Sequence, residues 1–242
     1  HVIFGFPNKA AHPGHKKSGW FDIAHRRIMI RAFNLKNIVE LKIKNRLLSK
    51  AIAIAAGVVL DGIVSRARPA PAVAGLVIRR VSSFDDRVNQ LWNLMSNQYQ
   101  IMVVRDKDYL NWRFADVPDV EYSIYVAEQA DAVVGYAISR CRRWNSLKVG
   151  VVYDVMAVSP DIVHCLVSTA VDDLKRQEAD FAFSSMIADR SCVDAFRKSG
   201  FLSVSFLRKA VFSAYSSSPD SSKEFMSEPG HWYSQLGDSD FL

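Results

Sequence analysis

The sequence predicts an α/β chain in which a mixed central sheet is flanked by helices and follows a shorter strand–helix–strand unit. Apolar segments that suit buried strands alternate with amphipathic segments that suit helices. The composition, 49% hydrophobic and 23% charged residues, is typical of a globular protein with a substantial core. A thirteen-residue pattern also occurs twice, about 180 residues apart, which indicates an internal duplication.

Each copy of the repeat predicts a buried strand, a polar cap, a short basic helix that ends at glycine, an aromatic residue and another strand. The first repeat covers residues 2–33 and the second repeat covers residues 181–215. The matching positions are Asn8 and Asp189, His15 and Phe196, Gly19 and Gly200, and Trp20 and Phe201. We expect residues 1–34 to be the end of a first domain whose beginning lies upstream.

Residues 35–75 are expected to connect the two domains. Apolar residues alternate with lysine and arginine over 35–50, which predicts an amphipathic helix with a basic face. Residues 51–60 are almost wholly apolar, but ten residues are too few to cross a bilayer of about 30 Å, which needs about 20. We therefore predict packing between the repeats and no transmembrane segment, with a surface-lying membrane helix as the alternative. A proline-rich stretch, 68–72, then forms a stiff linker.

Residues 76–215 are expected to form a second, complete domain. Strands are predicted at 76–81, 122–128, 132–142 and 149–158, and helices at 84–96, 106–114 and 161–175. The second repeat closes this series. In residues 216–242, the serine-rich stretch 216–222 predicts a flexible connector, and 231–240 predicts a terminal segment that docks on the surface.

The net charge of +6 is unevenly distributed along the chain. Residues 1–80 contain fifteen lysines and arginines against three acidic residues, whereas the remainder has a net charge of −6. A basic segment of this kind suits nucleic acid, anionic lipid or cofactor phosphates, but a solvated helix face explains it more simply. The three cysteines, Cys141, Cys165 and Cys192, are far apart and indicate buried thiols of a cytoplasmic protein. We expect no metal site.

The repeat resembles the last third of the GNAT domain, the fold of the acyl-CoA-dependent N-acyltransferases. Asn8, Ala11, Gly19 and Trp20 match the family pattern, while His15 stands where the family usually has tyrosine. The order of elements in 76–215 is that of a whole GNAT-like domain. Residues 105–114 and 5–8 resemble signatures of tandem GNAT-like proteins of bacteria. This resemblance implies a mixed central sheet and transfer of an acyl group from acetyl-CoA to an amine.

In the first domain, the resemblance places a cofactor contact at Asn8 and a general acid at His15. Asn8 would touch the pantetheine arm, and His15 would protonate the leaving thiolate. The simpler interpretations are a helix cap for Asn8 and a surface residue for His15.

In the second domain, the resemblance places Val158 and Ser159 at the loop that should hold the pyrophosphate of CoA. This junction contains no glycine, Pro160 lacks an N–H, and Asp161 would repel phosphate. The motif therefore predicts a well-capped helix with Ser159 as N-cap, and weak binding of acetyl-CoA by this domain.

Asp154 is the candidate base of the second domain because it lies in an apolar strand, where burial would raise its pKa. The alternative, which we favour, is a structural pair with an arginine such as Arg140 or Arg142. Trp112 and Arg113 lie on a helix that lines the acceptor groove in the GNAT fold. Arg113 would grip an anionic group or pair with a nearby aspartate, the candidates being Asp106, Asp108 and Asp116.

The sequence thus predicts an N-acetyltransferase fragment that acts on a small-molecule or sugar amine, with a homodimer as one arrangement. Two other functions stay open. One is a non-catalytic, degenerate GNAT-like module for binding or dimerisation. The other is an aminoacyl-tRNA-dependent transferase of the tandem GNAT-like type, in which the basic segment 26–50 would face tRNA. Nucleic acid is not the partner we expect.

Overall fold

The computed structural model describes residues 2–34, 67–187, 190–204, 211–217 and 220–239, and elements are numbered in chain order within these ranges. The strands are β1 (Val2–Gly5), β2 (Phe21–His25), β3 (Arg27–Ala32), β4 (Val77–Val81), β5 (Ile101–Met102), β6 (Ser123–Gln129), β7 (Ala132–Trp144), β8 (Leu147–Ala157), β9 (Phe181–Ile187), β10 (Leu202–Ser203), β11 (Val211–Ser216) and β12 (Trp232–Gln235). The helices are α1 (His12–Lys17), α2 (Arg87–Met95), α3 (Lys107–Leu110), α4 (Pro160–Arg176), α5 (Arg190–Lys198) and α6 (Asp220–Ser227). A π-helical turn, Asn111–Ala115, follows α3, and single 3-10 turns at Pro229–His231 and Leu236–Asp238 flank β12.

The order of these elements confirms the predicted mixed sheet with flanking helices and the strand–helix–strand unit before it. The helix predicted over 35–50, with its basic face, lies outside the described residues. So does Asp189, the predicted counterpart of Asn8.

The large sheet has the strand order β10-β3-β9-β8-β7-β6-β4. Neighbouring strands are antiparallel except for β8 and β9, which run parallel. Helices α4 and α5 pack on one face of this sheet, and α2 and α3 pack on the other, so that a hydrophobic cluster lies on each side. A third cluster lies beneath the small sheet, where Met226 of α6 and Trp232 join Ile23 and Phe212.

The two repeats exchange their last strands. In the small sheet, β11 of the second repeat lies between β1 and β2 of the first repeat. In return, β3 of the first repeat lies between β9 and β10 of the second repeat. Residues 27–32 pair with 181–186 in a continuous antiparallel register. Arg26 separates β2 from β3, and it marks the point where the chain passes from one sheet into the other.

Both repeats end their helix with the same backbone geometry. Gly19 and Gly200 each have a φ of +83°, a left-handed conformation that favours glycine over residues with a Cβ. The next residue then donates its N–H to a carbonyl five positions earlier at 3.0 Å, from Trp20 to His15 and from Phe201 to Phe196. The glycine and the aromatic residue after it therefore occupy equivalent positions in the two repeats, as the sequence pattern predicted.

The C-terminal segment is buried in the fold, which corrects the prediction that it docks on the surface. Trp232, Tyr233 and Leu236 are each 4% exposed or less. The Trp232 indole N–H donates to the carbonyl of Met226 at 2.7 Å. The physical reason is that these large side chains remove far more apolar area from water in the hydrophobic core than they could on the surface of the protein.

Candidate functional site

The parallel strands β8 and β9 separate part-way along their length and form a wedge. They pair over Val149–Val151 and 181–183, and beyond this point β12 takes the place of β8 beside β9. Gln235 pairs with Met186 on one side of the wedge. On the other side its side-chain amide accepts from the Val155 N–H at 3.0 Å and donates to the Val155 carbonyl at 2.7 Å. The chain therefore fills this wedge with its own C-terminal strand.

Arg105 is the centre of a buried ionic network behind the wedge. Its guanidinium contacts Asp154, with the closest N–O distance 3.0 Å, and both carboxylate oxygens of Asp238 at 2.9 Å. It also donates to the Val103 carbonyl at 2.8 Å, while the hydroxyl of Tyr136 donates to Asp154 at 3.1 Å. Arg105 is fully buried and Asp154 is 1% exposed.

Burial governs the protonation of this network. It raises the pKa of Asp154, and the charge of Arg105 opposes that effect. Burial also raises the pKa of the Tyr136 and Tyr233 hydroxyls well above their usual range, so both are neutral donors at physiological pH. The partner of Asp154 is thus Arg105, and not Arg140 or Arg142 as the sequence suggested. Neighbouring arginines in the sequence were misleading because the true partner comes from a loop 49 residues earlier.

A β-bulge sets the position of Asp154. In the pairing of β7 with β8, Ile138 lies opposite Asp154 and Ser139 lies opposite Val152, so Tyr153 is the extra residue. A bulge bends a strand and re-aims its side chains. It brings Asp154 and Val155 of β8 to the wedge, where Arg105 and Gln235 bind them.

Val158 and Ser159, the predicted phosphate-binding positions, lie where β8 leads into α4. The Ser159 hydroxyl accepts from the N–H of Ile162 at 3.4 Å, which confirms the predicted N-cap with Pro160 as first helical residue. The cavity beside them is only about 60 Å³, with Cys192 and Tyr233 on its far side. Ligand pockets in proteins are usually about 300–1,000 Å³, so this cavity is too small for a nucleotide cofactor.

Asn8 and His15 lie in the first repeat. The Asn8 side-chain oxygen accepts from the N–H groups of Ala10 and Ala11 at 3.0 and 2.9 Å, just before α1. His15 packs on Trp20 with ring centroids 4.4 Å apart, and its Nδ1 atom is buried without a hydrogen-bond partner. Its neighbour His12 contacts Asp22 at 2.9 Å.

Two adjoining pockets open where the first repeat meets the C-terminal segment. The larger, about 750 Å³, is lined by both Trp112 and Arg113, the predicted acceptor-binding residues. The smaller is about 390 Å³ and contains Arg26. Phe4, Asp238 and Ser239 line both pockets. Asn8 and His15 are not among the residues that line these two pockets.

Arg113 binds the C-terminal segment. It donates to the carbonyls of Gly237 and Ser239 at 3.2 and 2.9 Å. The aspartates that the sequence suggested as partners, Asp106, Asp108 and Asp116, are not in salt-bridge contact with it among the described residues. Asp106 instead caps α3 by accepting from the Tyr109 N–H at 2.8 Å. Trp112 is 67% exposed at the mouth of the larger pocket.

Solved structures with the same architecture were found by structural comparison. A GCN5-related N-acetyltransferase from Anabaena variabilis aligns with 88% of this chain and 45% of its own, at a TM-score of 0.53 and 11% identity. Saccharomyces cerevisiae N-myristoyltransferase with bound myristoyl-CoA and inhibitors aligns with 88% of this chain and 51% of its own, at a TM-score of 0.52 and 14% identity. A probable N-acyltransferase from Enterococcus faecalis aligns with 88% of this chain and 44% of its own, at a TM-score of 0.52 and 9% identity. The chain has the GNAT fold.

This chain spans about half the length of the GNAT-fold structures it matches. No family model and no curated protein matches its sequence. Within the described residues, no helix is long and apolar enough to span a membrane.

Three residues that shape this GNAT-fold wedge were not predicted from the sequence: Arg105, Gln235 and Asp238. Arg105 and Asp238 are 133 positions apart in polar stretches, so neither local periodicity nor spacing connects them. The Trp-Tyr pair at 232–233 was the available signal, because two large aromatic side chains in a polar tail favour burial.

Proposed function

We propose that this chain is the C-terminal part of an acyl-CoA-dependent N-acyltransferase, with acetyl as the simplest acyl group. The observation that carries the proposal is a GNAT fold with two strand–helix–strand repeats, of which the first contributes Phe4 and Arg26 to the pockets of about 750 and 390 Å³. The acceptor would be a small-molecule or sugar amine. A tandem bacterial protein in the cytoplasm is the parent we propose, with a homodimer as one arrangement.

The reaction is a direct transfer. A base removes a proton from the ammonium group, and the nitrogen lone pair attacks the thioester carbonyl, forming the C–N bond as the C–S bond breaks. The CoA thiolate then takes a proton from an acid, and the proton lost by the new amide nitrogen restores that acid. We assign the acid to His15 and the pantetheine contact to Asn8, since the first repeat is the one that keeps both residue types. Trp112 and Arg113 would form a wall for the acceptor.

The second domain is proposed as the half that does not bind acetyl-CoA. Its wedge holds β12, and its cavity beside Val158 and Ser159 is about 60 Å³. Asp154 is tied to Arg105 and buried, which supports a structural role over that of a base. These observations also favour the second candidate function, a non-catalytic GNAT-like module that shapes the acceptor site of its partner domain. The tRNA-dependent alternative depends on residues 26–50, most of which lie outside the described ranges.

The proposal is tested with the full-length protein that contains this chain, acetyl-CoA and a panel of amino sugars, polyamines and peptides, with release of free thiol as the readout. We expect His15→Ala to lower kcat by about 10²-fold, because positioned proton transfer contributes at least this much. His12→Ala is the matched control, since it lies on the same helix but contacts Asp22, and should lower kcat less than tenfold. If Asp154→Asn abolishes transfer in a folded protein and His15→Ala is silent, the catalytic site belongs to the second domain.

A further inference from the structure

Arg26 is buried at the crossing between the two sheets. It is 6% exposed, and its Nη2 donates to the carbonyl of Ser185 at 3.2 Å. Its guanidinium lies 4.2 Å from the centre of the Phe6 ring. Its Nε atom is buried and has no hydrogen-bond partner. Within the described ranges, no carboxylate lies within salt-bridge distance of it.

Arg26 has less compensation than the buried Arg105, which contacts two carboxylates. Arg31 also has a buried Nε without a hydrogen-bond partner, but it donates to the carbonyl of Ser199 at the end of α5, where the helix dipole favours a cation. The nearest charge that acts on Arg26 is Asp238, whose two oxygens are already bound by Arg105. Burial lowers the pKa of Arg26 to about 10, so it stays charged at physiological pH.

The smaller pocket gives this cation access to a ligand. Its volume is about 390 Å³, and Arg26 lines it together with the rings of Phe4 and Phe6 and the side chain of Leu236. A buried charge is costly unless it is paired, and burying one beside a cavity is typical of a binding site. The rings of Phe4 and Phe6 favour a ligand whose body is apolar. Ser239 and Asp238 also line this pocket, and the Asp238 carboxylate is held by Arg105.

We propose that Arg26 forms an anion subsite that binds a carboxylate or phosphate attached to an apolar group. The inference rests on the proposed function in one respect: it names the acceptor class as amines that also carry such an anionic group. Guanidinium binds both anions through paired hydrogen bonds, so the residue alone does not choose between them.

The subsite is tested by direct binding to the whole chain, which requires no catalysis. Calorimetric titrations use phenylacetate, phenyl phosphate and the neutral phenylacetamide, whose ring and size match phenylacetate. We expect at least one of the two anions to bind at least about tenfold more tightly than phenylacetamide, because charge-assisted hydrogen bonds are stronger than neutral ones. The two anions distinguish a carboxylate site from a phosphate site.

Arg26→Met should abolish the preference for the anion and raise the melting temperature, since it removes an uncompensated buried charge. Arg190→Met is the control, because Arg190 is a surface residue of α5 with its side chain 93% exposed, and it should keep the preference. If Arg26→Met fails to fold, Arg26→Gln is used and must also lose the preference. Equal binding of phenylacetate, phenyl phosphate and phenylacetamide, no binding at millimolar concentration, or an intact preference in the Arg26 variant overturns the inference. An active transferase without this subsite would leave the proposed function standing.

Discussion

The two repeats share an order of elements and a glycine helix ending but have very different surroundings. In the second repeat, α5 packs against α4 and buries four residues, among them Phe196. In the first repeat, α1 is shorter, with six residues against nine, and has the same glycine ending, but it buries none of its residues. Local sequence therefore specifies the turn and the helix end, whereas burial depends on what the neighbouring segments supply. The residue at one position of the pattern is therefore a core residue in one repeat, Phe196, and a half-buried residue in the other, His15.

The sharpest test of this difference is to replace the matching side chains, Phe196 and His15, by alanine. Phe196 is fully buried and contacts Phe201 with ring centroids 5.1 Å apart. Phe196→Ala should lower the free energy of unfolding by about 3–5 kcal/mol, the usual cost of removing a buried aromatic side chain. His15→Ala removes only a half-buried ring that packs at a tilt against Trp20, and should cost about 0.5–1.5 kcal/mol. Urea denaturation of both variants measures the two costs.

Equal costs for the two substitutions would contradict the comparison, because they would mean that α1 is packed as tightly as α5. A change in the denaturant slope would indicate instead that the substitution alters the unfolded state.

Sequence patterns were sufficient for the elements but not for how they pair. Apart from the two-residue strand β5, the strands and helices between 76 and 187 follow from periodicity, and the Ser159 cap follows from residue type. The exchange of β3 and β11 between the two sheets cannot be predicted from periodicity, because a strand with an alternating pattern can join either sheet without any change in that pattern. The bulge at Tyr153 is likewise invisible in a continuous apolar run.

The candidate site was predicted less well than the fold, and the reason is again long-range contact. Trp112 and Arg113 do lie together at one pocket, as their position on one helix implied. The partners of Asp154 and Arg113 were wrong, because both come from distant segments of the chain. The roles of Asn8 and His15 stay predictions, which the transfer assay tests.

A second comparison uses the glycines that end the two helices. Gly19 and Gly200 share a φ of +83°, so replacement by alanine should cost each about 1–2 kcal/mol from backbone strain. A Cβ at Gly200 would lie 3.2 Å from the Arg31 guanidinium carbon and 3.2 Å from the Ala67 side chain. At Gly19 the nearest atom would be a ring carbon of Tyr215 at 3.6 Å, an ordinary contact. Gly200→Ala should therefore be about 1 kcal/mol more destabilising than Gly19→Ala.

Thermal unfolding of the two alanine variants, measured beside the wild-type chain in the same buffer, tests this difference in stability. If Gly19→Ala is the more destabilising variant, the end of α1 is more crowded than the end of α5 and the contrast between the repeats weakens.

The smallest expected effect concerns how the second repeat supports the first, through Asp22 on β2. Burial raises the pKa of this carboxyl, but hydrogen bonds from His12 and from Ser213 of β11, together with the charge of Lys16, outweigh it and lower the pKa below its ordinary value. A carboxyl whose pKa is lowered by folding stabilises the folded state above its unfolded pKa, and that stabilisation disappears as the pH falls through the folded pKa. Asp22→Asn should therefore lower stability near pH 6 and have no effect near pH 2. Since the Asp22 side chain is 38% exposed, solvent screening limits the difference to about 0.5 kcal/mol or less. Melting temperatures of the two proteins across this pH range measure it, and a gap that stays constant down to pH 2 would show that the ionised carboxylate is not what joins β2 to β11.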